Sequence, residues 1–201
     1  MLTTLYRRWR YGEPVIIVSG LPRSGTSMLM NMLQAGGMPL LVDGERAADT
    51  DNPRGYFELE RVKSLGEQAD RSWLREARGR AVKVISHLLK ELPPDNHYRV
   101  LFAVRDLGEV VRSQNTMLGR RGELNPVDDM KALDLYRRHL VNVQVLARTR
   151  PNFEFLEIGY ADALAAPAGT ARRIRRFVGR PLDEARMAAA VDAALYRNRG
   201  T

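Results

Sequence analysis

The sequence predicts an α/β fold built on a parallel sheet of four or five strands. Three observations carry that prediction. Short apolar runs with β-branched character alternate with amphipathic helical stretches along the chain, a pattern that builds parallel sheets with helices on both faces. One junction, Val15–Leu33, reads strand, glycine-rich loop and helix in immediate succession. The 201 residues, 44% of them hydrophobic and 28% charged, are enough for a single domain with a sizeable core.

Taken in order, Val15–Val18 is a continuous apolar run and reads as a buried strand. Ser19–Gly25 holds two glycines, a proline and small polar residues, which is turn chemistry. From Thr26 the pattern turns helical, with Met28, Leu29, Met32 and Leu33 at offsets of three and four, and Gly36-Gly37 closes the helix. Met38–Val42 reads as a short second strand, and Asp43–Gly55 as a polar loop, long for a compact domain. Tyr56–Glu60 leads into a helix that runs to about Asp70. Ala81–Ile85 and Arg99–Val104 are the next strands, followed by a helix over Gly108–Leu118. Pro126–Arg148 is a long amphipathic helix, Phe153–Ile158 the last strand, and Ala168–Val178 and Asp183–Leu195 are helices. No repeat, low-complexity tract or linker interrupts this order, so residues 1–201 read as one domain.

Composition narrows the function. Lys+Arg exceeds Asp+Glu by 32 − 24 = 8, a balance that suits polyanionic ligands: nucleotides, nucleic acid or acidic lipid surfaces. Cysteine is absent, which removes disulfides and thiolate metal sites. The first fourteen residues carry Arg7, Arg8 and Arg10 but no apolar signal-peptide core. No apolar run approaches the ~20 residues of a membrane span. The reading is a cytoplasmic, bacterial protein.

Strand, glycine loop and helix in that order form an anion site, because inward-facing N–H groups and the helix N-terminus favour negative charge. Gly20 and Gly25 have the spacing of a Walker A loop, but Thr26 stands where its lysine belongs. Arg23 is the strong cation in the loop, able to grip two oxygens and charged at any working pH. The alternative is a bare glycine turn before an amphipathic helix. The run Pro22-Arg23-Ser24-Gly25-Thr26-Ser27 resembles the 5′-phosphosulfate loop of the sulfotransferases that use 3′-phosphoadenosine 5′-phosphosulfate (PAPS).

Two further segments extend the resemblance. Arg105 sits at the carboxyl end of a predicted strand, where open α/β sheets bind ligands, and Ser113 follows eight residues later. In the family an arginine and a serine so spaced grip the 3′-phosphate; otherwise Arg105 pairs with Asp106 or Glu109 on the surface. Tyr160, in Ile158-Gly159-Tyr160-Ala161-Asp162-Ala163-Leu164, is similar to a family tyrosine near the adenine, although Ala161 replaces the usual acidic neighbour. Tyr196-Arg197-Asn198-Arg199-Gly200 loosely resembles the late basic segment of larger members, and whether Arg197 and Arg199 reach the nucleotide stays open.

Sulfuryl transfer needs a base for the acceptor hydroxyl and positive charge for the departing phosphate. Arg23 supplies charge but not the base. His87 follows the third predicted strand as the family's catalytic histidine does, although four residues, rather than two, separate it from Lys83. Glu58 follows the long loop, where other branches of the family place a glutamate base. Both remain candidates, with Lys83 as a cation near the transferred group. His87, His97 and His139 lack metal-ligand spacing, and the family uses no metal, so none is expected.

The resemblance therefore implies a P-loop NTPase-like three-layer sandwich and sulfuryl transfer from PAPS to an acceptor hydroxyl, with PAP as the product. Arg23, Ser24, Gly25, Thr26 and Ser27 would hold the phosphosulfate, Arg105 and Ser113 the 3′-phosphate, and Tyr160 would lie near the adenine. The alternatives are a P-loop nucleotide or small-molecule kinase and a non-catalytic polyanion-binding module. The acceptor class is not legible. Neither a nucleic-acid partner nor a membrane span is expected, and a homodimer stays open.

Overall fold

The computed structural model describes residues 2–43, 55–120, 122, 123, 125 and 127–192. Most of the predicted polar loop and the segment holding Arg197 and Arg199 lie outside them. Strands β1 (Val15–Gly20), β2 (Ala81–Lys83), β3 (Tyr98–Val104) and β4 (Phe153–Gly159) form one parallel sheet in the order β2-β1-β3-β4. Ile16 faces Ala81 on one side and Arg99 on the other, and Tyr98 faces Phe153. The helices are α1 (Leu2–Tyr11), α2 (Thr26–Ala35), α3 (Glu60–Lys63), α4 (Leu107–Arg120), α5 (Asp129–Thr149), α6 (Tyr160–Ala165), α7 (Pro167–Val178) and α8 (Glu184–Ala189).

β1 is an inner strand, buried along its whole length, which is why it is a continuous apolar run rather than an alternation. Its side chains divide between two cores. Ile16 and Val18 pack with Leu29 and Leu33 of α2, Ile174 of α7 and Met187 of α8. Val15 and Ile17 pack on the other face with Trp73, Leu74, Leu89 and Val143 of α5. The sheet thus lies between two helical layers.

Local chemistry sets the ends of these elements. The Asp128 carboxylate accepts from the N–H groups of Met130 and Lys131 and starts α5. Pro167 opens α7, and Gly179, in the left-handed region, closes it.

Four expectations change. Met38–Val42 is no strand: it touches β2 through the single bridge Leu40–Ala81, because Pro39 has no N–H to continue a ladder. The helix expected to reach Asp70 is only α3, four residues long, ended at Ser64, beyond which Gln68 bonds back to Ser64 and Arg61. Two 3₁₀ turns, Ser72–Ala77 and Ser86–Glu91, were not foreseen, and neither was α1. Arg7 holds α1 through Glu154 and the Pro151 carbonyl, partners more than 140 positions away and invisible to local periodicity. The last helix is Glu184–Ala189, ended at Ala190, against an expected span of Asp183–Leu195 whose final residues lie outside the described ones.

Because all four strands run parallel, their carboxyl ends share one edge. The glycine loop leaves β1 there, Lys83 ends β2, Arg105 follows β3 and Tyr160 follows β4.

Candidate functional site

The loop after β1 is tightly wound. Gly20 and Gly25 both have positive φ, and Arg23 does too, at 67°. The Ser24 hydroxyl and its backbone N–H both donate to the Leu21 carbonyl, at 2.7 and 3.2 Å, so Ser24 staples the loop from within. A side chain at Gly20 would come within 2.8 Å of the Ala103 carbonyl, and one at Gly25 within 2.5 Å of Tyr160 Cδ2. Glycine is therefore required at both positions. α2 starts directly after Gly25 with no side-chain cap and no acidic residue in its first turn. Thr26 and Ser27 are half-buried in that turn.

Three residues from later elements meet this loop. Ser113 on α4 accepts a 3.1 Å hydrogen bond from Arg23 Nε. Arg105 Nη1 donates to the Arg23 carbonyl at 3.1 Å, and its Nε donates to Glu109 Oε2 at 2.8 Å. The Arg105 guanidinium lies 4.5 Å from the centre of the Tyr160 ring, a cation–π contact. Burial pushes the Tyr160 phenol above its ordinary range, with Arg105 pulling the other way. Arg23, Ser24, Gly25, Arg105, Ser113 and Tyr160 therefore form one cluster, with Thr26 and Ser27 on the adjoining turn.

The pairing of Arg105 with Glu109 is present, but it is buried rather than on the surface, with the two side chains 8% and 6% exposed, so it is part of the cluster. Asp106 is not the partner; its carboxylate accepts from the Glu109 N–H at 3.0 Å and caps α4. Glu109 is a residue that the motif reading passed over as a site component. Its i,i+4 spacing from Arg105 was the available signal.

A second cluster lies at the end of β2. The Lys83 ammonium donates to the Tyr56 carbonyl and lies 3.4 Å from Glu58 Oε1. Lys63 of α3 approaches the other Glu58 oxygen at 3.7 Å. The Val84 N–H bonds to the Val18 carbonyl, which sets Lys83 beside the root of the glycine loop.

His87 faces a different neighbour. Its ring stacks on His139 of α5, with centroids 3.8 Å apart and planes 8° from parallel. His139 Nε2 lies 2.8 Å from the hydroxyl of buried Ser86. Burial and then Lys90 lower the His87 pKa; burial and His87 lower that of His139 to about 4. Two stacked imidazoles cannot both carry charge cheaply. Nothing in the local sequence around His139 marks it as the partner of His87, since the two lie on separate elements.

The donor set suits an anion: an uncapped helix N-terminus, Arg23 and Arg105, with the hydroxyls of Thr26, Ser27 and Ser113 around them. Phosphosulfate and phosphate groups match that chemistry.

Comparison with known proteins identifies the fold. The model of the sulfotransferase family matches residues 81–184. Sulfotransferase STF1 from Mycobacterium tuberculosis H37Rv is similar in structure, with a TM-score of 0.56 and 19% identity, over 97% of this chain and 78% of that one. Sulfotransferase STF9 from Mycobacterium avium has a TM-score of 0.54 and 20% identity, over 88% of this chain and 67% of that one. The sulfotransferase domain of the Synechococcus PCC 7002 olefin synthase gives 0.53 and 16%, over 94% and 81%. No curated protein matches the sequence. The shared fold is the P-loop-like α/β sandwich expected from the sequence.

Proposed function

This chain belongs to the sulfotransferase family, and from that premise we propose that it transfers a sulfuryl group from PAPS to an acceptor hydroxyl. The observation that carries the proposal is the meeting of Arg105 and Ser113 with Arg23, across 82 and 90 positions of sequence. Two strand ends that each offer charge and hydroxyls to an anion are joined there, as a ligand with phosphates at both ends requires.

In this reading Gly25, Thr26, Ser27 and Arg23 hold the 5′-phosphosulfate, on a loop that Ser24 keeps in shape. Arg105 and Ser113 hold the 3′-phosphate, and Tyr160 lies beside the adenine. The bound donor supplies a sulfuryl group already joined to a phosphate leaving group. The chain positions that group in line with the acceptor and neutralises the charge that develops on the phosphate. Arg23 and Lys83 provide that charge, and no metal enters the reading. Glu58 takes the acceptor proton. Its position beside Lys83, at the root of the loop, supports it over His87, which is turned to α5. One domain over residues 1–201 and a cytoplasmic, bacterial setting belong to the same proposal. The acceptor class is open.

Thermal unfolding with PAP against ATP plus Mg²⁺ tests the proposal. Ligand at about a hundred times its Kd adds roughly 2.7 kcal/mol, on the order of 5–10 °C for a chain of this size. A shift with PAP alone is expected. A shift with ATP–Mg²⁺ and none with PAP overturns the reading in favour of a kinase, against which Thr26 at the Walker lysine position already argues. PAP binding that persists in Glu58→Ala and His87→Ala, with no transfer to any acceptor by the unaltered protein, favours a binding module.

A further inference from the structure

α1 has the sequence LTTLYRRWRY, with arginine at positions 7, 8 and 10 and no acidic residue. At 100° per residue, Tyr6, Trp9 and Arg10 share one face of this helix, and Arg7 points away from them. The structure follows that division. Arg7 turns inward, bonding Glu154 and, at 3.0 Å, the Pro151 carbonyl. Tyr6 is 56% exposed and Trp9 83% exposed, with ring centroids 6.3 Å apart. Arg10 is exposed beside them.

Tryptophan is highly buried on average, so an aromatic pair held outward on a helix that is itself riveted to the sheet calls for a partner. Exposed Trp and Tyr flanked by arginine are the side chains that favour the headgroup layer of a membrane, where a ring can be half-wet and a guanidinium can meet phosphate.

We infer that α1 docks this protein onto an anionic lipid surface through Tyr6, Trp9 and Arg10. Charge complementarity selects the occupant. The helix carries no negative charge and the chain a net +8, which an anionic surface attracts. A second copy seated on the same face in a two-fold pair would bring arginine against arginine. The docking face is remote from the loop. Arg7 reaches Glu154, the second residue of β4, which pairs in register with Arg99, whereas Gly20 pairs with Ala103. The two lie toward opposite ends of the sheet, so docking leaves the carboxyl edge facing solvent. The inference does not rest on the transferase reading.

The test uses the full chain with vesicles of phosphatidylcholine alone or mixed equally with phosphatidylglycerol. Co-sedimentation and tryptophan emission are read at low and high salt. The chain has two tryptophans, and Trp73 is buried at 5% exposure, so a change in emission reports Trp9. Binding and a blue shift with phosphatidylglycerol vesicles are expected, both weakened by salt. Arg10→Ala should weaken binding about fivefold, and Trp9→Ser should remove most of the co-sedimentation while leaving the Tm of the lipid-free protein unchanged. Equal binding to both vesicles, or none, overturns the inference. So does unchanged binding by Trp9→Ser, which would move the contact to another basic face such as that of Arg172, Arg173 and Arg176. A concentration-dependent blue shift without lipid would identify a second copy as the occupant instead. Duplex DNA binding abolished by Trp9→Ser, without vesicle binding, would identify nucleic acid.

Discussion

Gly25→Ala strikes the loop where it is tightest. Gly25 has φ 106° and ψ 15°, a conformation that costs an L-residue about 1–3 kcal/mol. The new methyl would stand 2.5 Å from Tyr160 Cδ2 and 3.1 Å from Cε2, so the ring must move. Overpacking of that kind costs about 1–3 kcal/mol. Together the two effects come to roughly 2–6 kcal/mol, which lowers Tm by roughly 4–24 °C in a protein of this size. The displaced ring also withdraws the surface over which the Arg105 guanidinium lies, so the PAP-induced shift should vanish as well.

Melting curves with and without PAP for the wild type, Gly25→Ala, Tyr160→Ala and the double variant separate the two causes. Tyr160→Ala removes the steric share and leaves the backbone strain. The double variant should therefore be more stable than the sum of the single losses by about 1–3 kcal/mol. A Gly25→Ala protein that melts within about 1 °C of the wild type and keeps its PAP shift would refute both the loop geometry and the role assigned to it.

Three other perturbations probe the rest of the structure. Glu58→Gln should reduce the sulfuryl-transfer rate by about 10²- to 10⁴-fold while leaving the PAP shift in place; an unaltered rate would return the base to His87. His139 has its pKa lowered to about 4 by burial and by His87, against 6.5 when unfolded. Its unfolded form takes up the proton first, so the stability it contributes is full above pH 6.5 and falls as pH drops toward 4. His139→Phe should keep a ring over His87 and flatten stability between pH 6.5 and 4, measured by denaturant titration at each pH. Glu154 is held down to about 2, first by its hydrogen bond to His97, with Arg99 and Arg7 adding to it. Its contribution is full above pH 4.5 and fades toward pH 2, so Glu154→Gln should flatten that lower window instead and raise amide exchange in α1, which Arg7 would no longer hold.

What was legible in the sequence is what short-range pattern controls. β1, the loop and α2 are consecutive, and their apolar spacing, glycines and helical offsets are all local. Arg105 and Ser113 were legible for the same reason, since a strand end and the helix after it fix their spacing. Met38–Val42 was misread because its apolar run outweighed one missing N–H at Pro39. α1 was overlooked because what holds it, Glu154, is supplied by the far end of the chain.

The same distinction explains why the sequence leaves Glu58 and His87 level. Each follows a segment expected to end near the carboxyl edge, and each is a competent base by residue type. What differs is the neighbour that the fold supplies. Lys83 turns toward the segment Tyr56–Glu58 and draws Glu58 to the foot of the loop. Two residues after the buried Val84, Ser86 instead engages α5 through His139, and His87 is carried into a stack there. Sequence specifies the candidates, and the direction in which the chain leaves β2 decides which of them meets the charge that Lys83 provides.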